Sequence, residues 1–222
     1  MTSLNDQETL FTLIAKNLPT DVTCWAFGGT AMMYLGFKEG TKDIDLLFED
    51  ETGRNAFIEA IKNLGFAETS PVTIYVPEKL KDKTKPLMFK RGDTRLDLFA
   101  TKVFRTTLSA AMKEGKGAVH EYRNGQTLKV AVVRSEHIAY LKGITGRDKD
   151  FDDIRTIIIK EKDFDWDVFV DEAVWQHAHG DTWALLDTER TLRDLQEHVF
   201  IEEKYLKRLY AAQGARAGRA GR

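Results

Sequence analysis

The chain has 222 residues, 42% of them apolar and 31% charged, with a formal net charge of −2. This reads as a soluble globular protein of one ordinary domain, or a core with a small appendage, and it does not mark a nucleic-acid binder. No apolar run approaches the ~20 residues of a membrane span. No basic-then-apolar leader opens the chain, and the single cysteine, Cys24, excludes an internal disulfide, so the expectation is a cytoplasmic protein.

In chain order, Leu10, Phe11, Leu13, Ile14 and Leu18 recur at helical spacing until Pro19, which predicts a helix over about 5–18. A strand is expected from Val22 to Phe27, then the Gly28-Gly29 turn and a short helix ending near Gly36. A second strand is expected over Thr41–Phe48, wholly apolar beyond Asp45 as a strand covered on both faces should be. Glu51–Leu64 is an amphipathic helix stopped by Gly65. Val72–Val76 alternates as a strand, and Pro77 to Pro86 is a lysine-rich loop. It is either plainly solvated or able to close over phosphate or RNA.

Leu87–Lys90 and Arg95–Phe99 form one predicted hairpin, and Val119–Tyr122 with Thr127–Val133, around Asn124-Gly125, a second. Ser135 can cap a helix over 136–144. From about Trp166 to Ala212 the chain reads as helical, with Trp166, Phe169, Val170, Ala173 and Val174 as one stripe and Leu185, Leu186, Leu192 and Leu195 adding to it. His177, His179 and His198 lack zinc-site spacing and read as surface or packing residues. The end, Gly214–Arg222, is basic and of low complexity. It is either a loose terminus or a flexible contact for RNA or phosphate.

Two stretches carry chemistry. Gly28-Gly29 ends an apolar run and opens a helical segment at Thr30, the layout of a phosphate-binding turn. Thirteen residues on come Asp43-Ile44-Asp45-Leu46. On a strand Asp43 and Asp45 share a face, and two carboxylates there call for a cation between them, with Mg²⁺ a fitting hard ion. Asp97 stands inside an apolar strand, where a charge is costly unless paired or metal-bound. It is either a third metal ligand or one side of a buried salt bridge to an arginine such as Arg95 or Arg105. Asp93, in the turn, reads as structural.

Gly28-Gly29, the thirteen-residue gap and Asp43-Ile44-Asp45-Leu46 together resemble the signature of the polymerase-beta-like nucleotidyltransferase superfamily. The longer context, Gly-Gly-Thr-Ala-Met and Thr41-Lys42-Asp43, is similar to its small stand-alone prokaryotic branch of AbiEii-type toxins and uncharacterised archaeal-type relatives. The resemblance covers roughly residues 20–160. It implies Mg²⁺, in a two-ion site, on Asp43, Asp45 and Asp97, with Asp97 helping to deprotonate the attacking hydroxyl. Gly28, Gly29 and Thr30 would hold nucleotide phosphates. Lys142, then Arg147-Asp148-Lys149-Asp150-Phe151-Asp152-Asp153-Ile154, matches a further motif whose basic residues Lys142, Arg147 and Lys149 would face the triphosphate. The alternative for that stretch is a salt-bridged helix junction.

The implied reaction is NMP transfer from an NTP to an acceptor hydroxyl, with pyrophosphate released. Implied acceptors are an RNA 3′ end, tRNA included, or a protein side chain. A cognate toxin or antitoxin is among the implied partners, and no membrane is. Two other readings stand beside it: a catalytically silent nucleotide- or partner-binding protein on the same fold, and a metal-dependent phosphohydrolase. The expected fold is α/β, a mixed twisted sheet of about five or more strands flanked by helices. A catalytic core over 1–135, a helical region over 136–213 and a flexible basic tail over 214–222 are expected.

Overall fold

The structure, a computed structural model, describes residues 1–70, 84–114 and 117–220, with backbone alone for 215–220. The strand expected at Val72–Val76 and most of the lysine-rich loop lie outside the described residues. The chain forms two compact units, Met1–Arg134 and Ser135–Arg222. Among the described residues no helix is long and apolar enough to cross a membrane.

The first unit is built on a mixed sheet. Its elements are α1 (Leu4–Asn17), β1 (Val22–Ala26), α2 (Gly28–Tyr34), β2 (Asp43–Phe48), α3 (Glu51–Asn63), β3 (Ala67–Thr69), β4 (Leu87–Arg91), β5 (Thr94–Ala100), the short β6 (Lys102–Val103) and β7 (Thr106–Thr107), α4 (Ala110–Glu114), β8 (Ala118–Asn124) and β9 (Gln126–Val132). The strand order is β3-β4-β5-β2-β1-β9-β8. β2 runs parallel to β5, and β1 parallel to β9; β1 and β2 are antiparallel. The expected helices and hairpins of this unit are all present; β3, β6, β7 and α4 were not legible in the sequence because each is only two to five residues long.

Side-chain alternation divides the sheet. Val22, Cys24 and Ala26, with Ile44, Leu46 and Phe48, Leu96 and Leu98, and Leu128 and Val130, are buried in one cluster with Phe11 and Ile14 of α1 and Phe57, Ile58 and Ile61 of α3. With a period of two, Asp43 and Asp45 of β2 and Arg95 and Asp97 of β5 stand on the other face. α1 starts on a capping box, the Ser3 hydroxyl accepting from the Asp6 N–H while the Asp6 carboxylate accepts from the Ser3 N–H. α3 starts on Asp50, whose carboxylate accepts from the Gly53 N–H.

The second unit is helical: α5 (Ser135–Gly143), α6 (Asp148–Lys160), α7 (Trp166–Ala178), α8 (Ala184–Gln196) and α9 (Glu203–Ala220). Every residue of α5 is buried, and the helix packs against α6, α7 and α8. Of the expected apolar stripe, Phe169, Val170 and Ala173 are buried; Leu186 departs from expectation and is exposed. The backbone of α9 continues as helix through Gly214 to Ala220, the segment whose composition suggests a loose tail.

Candidate active site

The site of the first unit follows from strand register. β2 and β5 are parallel with Asp45 opposite Asp97 and Asp43 opposite Arg95. The three carboxylates therefore converge: Asp43, Asp45 and Asp97 each offer an oxygen, all within 4.8 Å of one another. Asp97 is almost wholly buried and Asp43 is partly exposed, at 2% and 28% of their side-chain surface. Three acidic oxygens this close, with no histidine or thiolate among them, form a donor set that fits a hard divalent cation such as Mg²⁺. Among the described residues this is the one such group, and His177, His179 and His198 take no part in it. His179 instead stacks on Trp175.

The glycine pair lies against this cluster. Gly28 begins α2 with φ +58°, a left-handed conformation, and a Cβ built there would fall 2.4 Å from Asp45 Oδ2. A Cβ on Gly29 would fall 2.3 Å from Thr41 Oγ1. Both positions need glycine because side-chain oxygens of the site occupy the space. Thr30 follows the glycine pair. It is fully buried, and its hydroxyl accepts a hydrogen bond from the Asp45 backbone N–H at 3.1 Å. Thr30 thus ties the start of α2 to the strand that carries the carboxylates.

Thr41, which sequence reasoning did not assign to the site, joins it, and so does Arg95, expected only as one possible salt-bridge partner of Asp97. The Thr41 hydroxyl donates to Asp43 Oδ1 at 3.3 Å, and its backbone exchanges hydrogen bonds with Thr2 at the chain's start. Arg95 donates from Nη2 to Asp43 Oδ2 and holds Nε 3.0 Å from Asp97 Oδ1. The available signal was period two: Thr41 precedes Asp43 by two residues, and Arg95 precedes Asp97 by two. Of the two readings of Asp97, the structure contains the salt bridge to Arg95 within a cluster that also fits a metal.

Lys142, Arg147 and Lys149 belong to the second unit. Lys142 is buried and donates to Asp150 Oδ1 at 3.0 Å and Asp153 Oδ2 at 2.6 Å. Asp150 also accepts from the Thr145 hydroxyl at 2.6 Å and from Arg147 Nε at 2.5 Å. Burial opposes the charge on Lys142, yet the carboxylates of Asp150 and Asp153 outweigh it and raise its pKa above the ordinary lysine value. Burial likewise opposes ionisation of Asp150, but Lys142, Thr145 and Arg147 hold its pKa below the usual carboxylate range. Arg147 and Lys149 are exposed. A cavity of about 450 Å³ in this unit is lined by Lys142, Arg147, Phe151, Arg190, Asp194 and His198 among others.

The first unit is thus a mixed α/β fold carrying a metal-competent carboxylate cluster against a glycine pair. Among solved structures, the chain is similar to ANT(2″)-Ia, whose structure is a complex with adenylyl-2″-tobramycin, at 18% identity and a TM-score of 0.49, over 78% of this chain and 99% of that one. No protein-family model matches the chain, and no curated protein matches it.

Gly28→Ala should cost about 1–2 kcal/mol in urea denaturation from the left-handed conformation alone, and it must also displace the Asp45 carboxylate. Gly36→Ala, at φ +74° with nothing within 4 Å, carries only the first cost, so any excess at Gly28 measures the crowding.

Lys142→Met should destabilise the second unit by about 3–5 kcal/mol, because it leaves Asp150 buried without its main counter-charge. Trp166, Trp175 and Trp183 report on this unit by fluorescence. Asp150, with a depressed pKa, contributes stability above about pH 4 and loses it on acidification through its folded value; Lys142, with a raised pKa, contributes below about pH 10.4 and loses it as pH rises through its folded value. Urea midpoints against pH should fall at both ends in the native chain. Both of these contributions should be diminished in the variant.

Proposed function

We propose that this chain is a Mg²⁺-dependent nucleotidyltransferase of the polymerase-beta-like kind, moving an NMP from an NTP to an acceptor hydroxyl with release of pyrophosphate. The observation that carries this reading is the convergence of Asp43, Asp45 and Asp97 within 4.8 Å against a glycine pair whose missing side chains leave room for the site. Asp43, Asp45 and Asp97 would hold the metal. Mg²⁺ bound there supplies positive charge for the phosphates and lowers the pKa of a hydroxyl near it.

The chain's own groups divide the remaining work. Gly28 and Gly29 let the backbone N–H groups at the start of α2 come close to phosphate oxygens. Thr30 and Thr41 position Asp45 and Asp43 through the hydrogen bonds described above. Asp97, the most buried carboxylate of the three, is assigned the proton of the attacking hydroxyl. In the second unit, the exposed Arg147 and Lys149 are assigned to anionic groups of nucleotide or acceptor, with Lys142 as the buried anchor of that network. The acceptor is an RNA 3′ end, tRNA included, or a protein side chain, in a toxin–antitoxin setting. That part of the proposal rests on the sequence motifs alone.

The alternative is a catalytically silent nucleotide- or partner-binding protein on the same fold. The pairing of Arg95 with both Asp43 and Asp97 favours it, since a protein that never bound metal would need such a neutralising cation.

Incubation with Mg²⁺ and each α-labelled NTP, with total RNA and cell protein as acceptors, separates the two. Transfer predicts label in a nuclease- or protease-sensitive product, reduced about a hundred- to a thousandfold in Asp45→Ala, the order of loss when an electrostatic element of catalysis is removed. Tight Mg–NTP binding with no label from any NTP would leave two options, the silent reading or an acceptor missing from the mixture.

A further inference from the structure

We propose that Arg95 is a built-in counter-cation of the carboxylate cluster, occupying it in the metal-free protein and competing directly with a divalent ion for it. The inference rests on the reading of Asp43, Asp45 and Asp97 as a metal site, and it adds a control on that site's occupancy.

Arg95 stands opposite Asp43 across the parallel pair and two residues before Asp97 on its own strand. One planar guanidinium therefore reaches two of the three carboxylates, Asp43 through Nη2 and Asp97 through Nε at 3.0 Å. Asp43 is engaged at both oxygens, Oδ2 by Arg95 and Oδ1 by the Thr41 hydroxyl. Arg95 itself is largely buried, with 21% of its side-chain surface exposed, so its pairing is not the loosely screened kind found on open surface.

Arginine keeps its charge at any working pH, so protonation does not clear the cluster of it. A divalent cation ligates deprotonated oxygens, and Arg95 already engages Asp43 Oδ2 and lies against Asp97 Oδ1, so a metal on those oxygens and the guanidinium repel and displace one another. Metal occupancy and the Arg95 contacts are therefore coupled, each weakening the other by the same factor. The physical result is a cluster whose three carboxylates are partly compensated by one guanidinium, and whose affinity for free metal is lowered to that extent. The guanidinium, once released from the carboxylates, is suited to bidentate pairing with phosphate.

The test uses the full chain and Mn²⁺ as the probe. Mn²⁺ affinity is measured by the loss of the free-ion paramagnetic resonance signal for the native protein, Arg95→Met, Arg95→Lys and Asp45→Ala. Arg95→Met should bind Mn²⁺ at least about tenfold more tightly than native, the scale of one lost competing charge. Arg95→Lys, a point charge without the fork, should fall between them. Unchanged or weaker binding in a folded Arg95→Met would overturn the inference, because Arg95 would then be holding the carboxylates in place for the metal.

A second readout needs no folded variant. In the native protein the Arg95 Nη2 protons, which are donated to Asp43 and followed by nitrogen-15 resonance, should exchange slowly with water without metal and quickly at saturating Mg²⁺. Retained protection at saturating Mg²⁺ would sink the inference while leaving the metal site intact. If native protein and Arg95→Met both bind Mn²⁺ no better than Asp45→Ala, the metal reading itself falls and this inference falls with it.

Discussion

The alignment of β2 with β5 is the constraint on which the candidate site depends. Parallel in register, the two strands set Asp45 beside Asp97 and Asp43 beside Arg95. The same alternation that sends these four charges to one face sends Ile44, Leu46, Phe48, Leu96 and Leu98 to the other, into the core made with α1 and α3. A slip of one residue would exchange the two sets, burying carboxylates in the apolar cluster and exposing its leucines. The hydrophobic core therefore fixes the position of the charges, and no separate device is needed to choose the register.

Placing three carboxylates together is unfavourable in itself, and the surrounding groups answer that cost. Arg95 supplies a counter-charge to Asp43 and Asp97. Thr41 adds a donor to Asp43, and its backbone is held by Thr2. The Thr30 hydroxyl accepts the Asp45 N–H and so links α2 to β2. The glycine pair contributes by what it lacks, since side chains at Gly28 and Gly29 would meet Asp45 and Thr41 oxygens.

How far all this could be read from the sequence follows the range of each interaction. The shared face of Asp43 and Asp45 is a two-residue relation and was legible directly. Asp97 was legible through the cost of a charge in an apolar strand, and Arg95 through its nearness to Asp97. That Arg95 also reaches Asp43, 52 residues away, depends on strand register, which periodicity does not give. Thr30 was assigned to phosphate by the resemblance alone. The hydrogen bond its hydroxyl accepts from the Asp45 N–H is another long-range contact. The sheet's main strands and hairpins were legible by alternation and turn chemistry, while two-residue strands such as β6 and β7 hold too few residues to show a period.

Two cations of this protein, the buried Lys142 and the largely buried Arg95, illustrate when a basic residue is free to serve a ligand. Lys142 lies on a helix buried along its whole length, and its partners Asp150 and Asp153 are 8 and 11 residues away in the same unit. Asp150 is in turn fixed by Thr145 and Arg147. Withdrawing Lys142 would strand a buried carboxylate, so its pairing is part of the fold. Arg95 is different in kind. It bridges carboxylates that a divalent ion could compensate in its place, at a cluster where Asp43 is still partly exposed. A counter-charge that another cation can replace costs the fold little to release, and this makes Arg95, rather than Lys142, the cation suited to exchange during function.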